Sequence, residues 1–109
     1  MAIMKTYPHL PKTYKKRYPF RLGTTSFIHP ASYLPNAQNL GPYLDEIELL
    51  MFESAPQSLP PEGEIESLAL LREELGLTYN VHLPTDISLA AGSHAERENA
   101  AEILGNIIR

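Results

Sequence analysis

The chain contains no cysteine. Disulfides, thiolate nucleophiles and Cys-ligated zinc or iron–sulfur sites are therefore excluded, and no redox compartment can be read. No apolar run approaches the roughly 20 residues needed to cross a bilayer. The basic N-terminal stretch is not followed by the apolar core of a secretory signal, so a cytoplasmic location is the expectation. Internal repeats and low-complexity segments are absent. So is the glycine-rich phosphate turn of a dinucleotide-binding unit: Gly23 stands alone before the end of the first apolar segment. Ser, His and Asp all occur, but no nucleophile-elbow motif accompanies them, which disfavours a serine hydrolase.

Acid is also missing from one region. Residues 1–21 hold six of the nine Lys and Arg residues and none of the thirteen Asp and Glu. This basic stretch is interleaved with Tyr7, Tyr14 and Tyr18 and carries Pro8, Pro11 and Pro19. Proline fixes φ and removes a donor, so residues 1–19 read as an extended arm. Basic and aromatic residues together can touch nucleic acid. The arm is short and shows no recognition motif, so the favoured reading is an arm solvated against its own acidic domain, with nucleic acid an unlikely partner.

What is present suits one globular domain: 109 residues, 43% apolar and 20% charged. The segment Phe20–Ile28 is rich in β-branched and aromatic residues and reads as a strand ended by His29 and Pro30. Residues 32–44 read as partly helical, with Asn39, Gly41 and Pro42 weakening the end. Residues 45–53 form a nearly continuous apolar run that suits a buried strand. Residues 61–75 give the clearest helix. Pro61, Glu62 and Glu64 suit its first turn, Ile65, Leu68, Leu71 and Leu75 recur at helical spacing, and Gly76 stops it. Leu77–Pro84 alternates, with Leu77, Tyr79, Val81 and Leu83 on one face and Thr78, Asn80 and His82 on the other. Ser93 and Glu96 form a capping box for a last helix striped by Ala100, Ile103, Leu104 and Ile107.

The order strand–helix, three times over, implies parallel strands joined by right-handed crossovers. An inner strand of an open doubly wound sheet is apolar on both faces. The polar stripe Thr78, Asn80 and His82 instead suits the lumen of a (β/α)₈ TIM barrel, with helices on one side of the sheet only. The expected fold is thus α/β, with residues 20–109 supplying the first three β/α units of a barrel. Eight strands in about 250 residues are needed for closure. Such a segment is expected to be inactive alone, to expose apolar groups such as Leu50 and Phe52, and to need the remaining strands or self-association to cover its open edge. The rival is a small three-stranded α/β domain that oligomerises.

Barrel chemistry sits at the carboxyl ends of strands. The candidates there are Thr25, Ser26 and His29, then Glu53, then His82 and Asp86. His82 is the leading catalytic or metal-ligating candidate, because imidazole handles protons near neutral pH. Glu53 can act as base, ligand or plain loop acid. By alternation it shares a face with Ile47, Leu49 and Met51, so a bend is needed to aim it inward. Asp86 can orient His82, bind substrate or sit in an exposed turn. Thr25 and Ser26 can bind phosphate oxygens, although one of them can simply fill space. Glu48 is expected to pair structurally with Arg21. His9, His29 and His94 read as arm, loop and helix-surface residues.

Val81-His82-Leu83-Pro84 resembles the His-x-Pro motif that follows the third strand of xylose-isomerase-like barrels. That superfamily includes sugar isomerases, sugar epimerases and endonuclease IV-type enzymes. The wider pattern is Tyr18 through Ile28 with Pro30, Leu34-Pro35-Asn36, Leu50 through Ser54 and His82 through Asp86. It resembles the cobamide-remodelling phosphodiesterase branch from about residue 18 onward. The resemblance implies a hydrolase that cleaves the phosphoribosyl linkage of the lower nucleotide loop, with the cobamide as substrate rather than cofactor. It also places His82 where endonuclease IV-type enzymes have a zinc ligand, so a divalent metal of open identity is implied. The alternatives are a sugar (phosphate) isomerase or epimerase on the same fold, and a non-catalytic fragment or binding module.

Overall fold

In the computed structural model, residues 7–108 are described. The first six residues of the arm and Arg109 lie outside them. The elements run in the order β1 (Gly23–Thr25), α1 (Tyr33–Leu40), β2 (Glu46–Leu50), α2 (Glu62–Leu75), β3 (Thr78–His82) and α3 (His94–Ile108). A short 3₁₀ turn, Pro56–Ser58, interrupts the β2–α2 loop. The three strands form an open parallel sheet in the order β1-β2-β3.

The alternation in β2 assigns the two faces. Ile47, Leu49 and Met51 are buried together with Ala37 and Leu40 of α1, Leu68 of α2, and Leu44 and Leu77. The Tyr79 hydroxyl donates to Leu68 O at 2.9 Å, which ties β3 to the same helical layer. Ile107 of α3 also packs against this core. The helices thus lie on one face, and the smallest dimension of 21 Å fits one sheet and one helical layer. The opposite face carries Glu46, Glu48 and Leu50 from β2 and Thr78, Asn80 and His82 from β3. The chain is thus mixed α/β, with a small open three-stranded parallel sheet and its helices on one face.

The strands are shorter than their patterns suggest, and side chains are the reason. Phe20–Ile28 was the span expected for the first strand, but pairing is confined to Gly23–Thr25. At its start, the Leu22 N–H goes to Asp45 Oδ2 at 3.0 Å. At its end, the Ile28 and His29 N–H groups both go to Asn36 Oδ1, at 3.2 and 2.9 Å. β3 stops at His82 because Pro84 has no donor to offer. It starts after Leu77, whose N–H completes the C-terminus of α2 by donating to Arg72 O at 3.2 Å. Gly76 adopts φ +64°, the left-handed conformation that lets α2 end there. Of the expected α2 stripe, Leu68 is buried, while Ile65 is 51% exposed. Ser93 Oγ accepts the Glu96 N–H at 3.1 Å and so caps α3.

Residues 14–16 of the arm dock at the amino end of the sheet, while Tyr7 stacks on His29 at the β1–α1 turn. The Tyr14 N–H donates to Tyr43 O at 2.8 Å, and Lys15 Nζ donates to Leu44 O at 2.7 Å. The Lys16 N–H donates to Asp45 Oδ1 at 2.8 Å, with Lys16 itself at φ +56°. Asp45 is buried, and the backbone N–H groups of Leu22 and Lys16 hold its carboxyl below the usual carboxylate range. Partial burial pushes the Lys15 ammonium down, against the opposing pull of Asp45.

Candidate functional site

The carboxyl ends of β1, β2 and β3 form one rim. His82, the last residue of β3, stands opposite Leu50 in the register, on the helix-free face. Its Nδ1 lies 3.0 Å from Leu83 O. A carbonyl only accepts, so Nδ1 carries the proton and Nε2 is the unprotonated nitrogen of the neutral ring. The Phe52 ring meets the imidazole edge-on, with centroids 5.1 Å apart. The result is a half-exposed imidazole with a fixed tautomer and an Nε2 free to take a proton or ligate a metal.

The other candidates take different positions. Glu53 is exposed, and its Oε2 accepts from Ser58 Oγ at 3.0 Å, within its own loop. Asp86 spends its carboxylate on Ser54. It accepts the Ser54 N–H at 3.0 and 3.1 Å and the Ser54 hydroxyl at 3.1 Å. The orienting partner of His82 is therefore the Leu83 carbonyl, not Asp86. Ser26 is buried, and its Oγ accepts the Leu50 N–H at 3.0 Å, which makes it a strut between β1 and β2. Thr25 lies on the open face in a row across all three strands, Thr25–Glu48–Asn80. These residues line a shallow recess of about 330 Å³ together with Glu46.

The Arg21 pairing differs from expectation. Arg21 reaches Glu46 at 3.9 Å rather than Glu48. The register explains this, since Gly23 stands opposite Glu46 and Arg21 lies on the amino side of Gly23. Glu46 also accepts from Thr78 Oγ1 at 2.9 Å. His29 bonds through Nε2 to Asn39 Oδ1 at 2.9 Å and stacks on Tyr7. His94 pairs with Glu98 one helical turn on.

Three residues that organise this end were not singled out as site residues by pattern. Asn36 is fully buried, and besides its two accepted bonds its amide donates to His29 O, Ala31 O and Ser32 O. The Tyr33 hydroxyl donates to Leu50 O at 2.9 Å, with Ser58 O a second acceptor at 3.3 Å. Burial raises the Tyr33 pKa, with Glu64 adding to the shift. Glu48 occupies the centre of the polar row. The usable signal was a polar residue inside each otherwise apolar or helical stretch.

Among the described residues, no three His, Asp or Glu side chains converge as a metal site. His82 is a competent single ligand, but the described residues bring no further donor to it. No helix among them is long and apolar enough to cross a membrane. Comparison with protein-family models, curated proteins and solved structures gives no match to this chain.

Proposed function

We propose that this chain is the first part of a xylose-isomerase-like (β/α)₈ barrel and belongs to a cytoplasmic cobamide-remodelling hydrolase. The substrate reading rests on the resemblance in residue pattern from about residue 18 onward. One structural observation carries the functional reading: His82 stands at the carboxyl end of a parallel strand, on the helix-free face, with Nδ1–H held by Leu83 O. Catalytic groups of barrels occupy this position.

In this reading the free Nε2 of His82 takes a proton from the water that attacks the phosphoribosyl linkage, or ligates a divalent ion there. Such an ion would supply Lewis acidity at the phosphate, and its further donors would come from outside the described residues. Thr25 presents its hydroxyl toward the substrate from the next strand but one. Ser26 holds β1 to β2 beneath the site, and Asp86 and Ser54 fix the loops around it. Glu53 stands at the rim as a loop acid.

The test is turnover of cobamides and ketoses by the full-length protein and its His82→Ala and His82→Asn variants, with folding checked by circular dichroism. Loss of a positioned acid–base group lowers turnover by about 10²–10⁴-fold, and both variants are expected in that range. Turnover within about tenfold of the parent, roughly 1.4 kcal/mol of barrier, removes His82 from the site. Ketose turnover without cobamide cleavage replaces the hydrolase with an isomerase on the same barrel.

A further inference from the structure

A second recess, of about 290 Å³, opens between the β1–α1 turn and the end of β2. Its walls include Ser26, Phe27, Tyr33, Leu50 and Phe52. Two of the polar side chains in those walls are engaged by the protein itself, while Ser32, which also lines the recess, makes no side-chain capping bond. Ser26 Oγ accepts from Leu50 N, and the Tyr33 hydroxyl donates to Leu50 O. No charged side chain lines the recess. What remains for a ligand is apolar and aromatic surface with one hydroxyl at its edge, that of Ser32. Phe27 is 62% exposed and Phe52 50% exposed. Both rings thus keep apolar area in water whose burial under a ligand would be favourable.

The walls are also set in place beforehand. Asn36 holds the turn that follows Phe27 through five hydrogen bonds. Phe52 is held edge-on to the His82 ring, and its carbonyl accepts the Thr85 N–H at 3.1 Å. A recess fixed before binding spends little on ordering when a ligand enters.

We propose that this recess binds a neutral, planar aromatic ring carried by a small molecule. Charged groups are disfavoured because no counter-charge lines the walls and their desolvation would go unrecovered. Aromatic rings are favoured over aliphatic ones because ring-on-ring contacts add to the area buried. The ring would lie against Phe52, whose own ring meets His82, at the same rim as the proposed hydrolase chemistry. The inference nevertheless concerns binding alone and does not need that chemistry.

The probe is indole, titrated into the isotope-labelled protein and followed by NMR, with cyclohexanol and benzoate as aliphatic and anionic controls. Indole is expected to shift the Phe27, Tyr33 and Phe52 resonances and to give intermolecular nuclear Overhauser contacts to both phenyl rings. Phe27→Ala and Phe52→Ala should each weaken binding about tenfold. Both side chains are exposed, so the variants should retain the fold. If either does not, the contacts in the unaltered protein decide the matter. The proposal is overturned if indole shifts nothing at millimolar concentration, if cyclohexanol or benzoate moves the same resonances as strongly, or if both folded variants bind as well as the parent. Loss of cobamide turnover with indole binding intact would count against the hydrolase reading only.

Discussion

The two ends of the sheet treat their polar groups in opposite ways. At the amino end, Asp45 is buried and accepts from the N–H groups of Lys16 and Leu22, while Lys15 caps the Leu44 carbonyl. These groups are spent on fastening the arm and the first strand. At the carboxyl end, His82 engages one ring nitrogen with its neighbour's carbonyl and leaves the other free. Phe52 against it, and Phe27 after β1, keep half or more of their surface in solvent. A carboxylate that is fully hydrogen-bonded and buried contributes to stability. An imidazole that is oriented yet open is equipped for chemistry. If the chain belongs to a barrel as proposed, the contrast matches the division expected there, with stability at the amino face and chemistry at the carboxyl face.

The largest expected effect lies at the carboxyl end and tests whether the division is really one of ends or one of burial. Asn36→Ala strips the Ile28 and His29 N–H groups and the Ala31 carbonyl of their partner beside a fully buried side chain, while His29 O and Ser32 O keep backbone N–H donors. A loss of about 4 kcal/mol is expected in urea unfolding, from unsatisfied buried groups that cost about 1–3 kcal/mol each. A loss below about 1 kcal/mol would mean that water replaces the amide and that the turn is looser than described.

Next in size is Asp45→Ala, which leaves the Lys16 and Leu22 N–H groups unpaired and is expected to cost about 3 kcal/mol by the same measure. The sign of its pH dependence follows from the depressed pKa. The contribution is complete above the ordinary carboxylate pKa and is lost as pH falls through the lower, folded-state value. Asp45→Asn should therefore flatten the acid limb of the stability curve. An unchanged acid limb would show that another carboxylate controls it. The smallest effect belongs to Arg21→Ala. Its guanidinium is 67% exposed and 3.9 Å from Glu46, so the change should stay within about 0.5 kcal/mol. A larger loss would place a third anchor at the amino end.

Local features of the fold were legible in the residues. Gly76 marks the end of α2, Ser93 caps α3, and the alternation of β3 puts His82 with Asn80 and Thr78, all through neighbours a few positions apart. The strand ends were not legible, because the groups that intercept the ladder come from further away. Asp45 takes the Leu22 N–H from 23 residues along the chain. The partner of Asp86 lies 32 residues away at Ser54. The Arg21 pairing depended on a register of one strand against the next, and two acids on one face, Glu46 and Glu48, were available to it. His82 was found as a site candidate because its environment is written locally. The environments of Asp86 and Asn36 are written by topology.

The clasp between Ser54 and Asp86 makes one body of two loops. Thr85 N–H to Phe52 O adds a second tie beside it. The β2–α2 and β3–α3 loops are therefore restrained against each other before any ligand arrives. Ordering two independent loops around a ligand would charge their lost freedom to binding twice; loops already joined lose it largely during folding. In the proposed site, Asp86 would therefore act on affinity and positioning through the freedom it removes from the two loops.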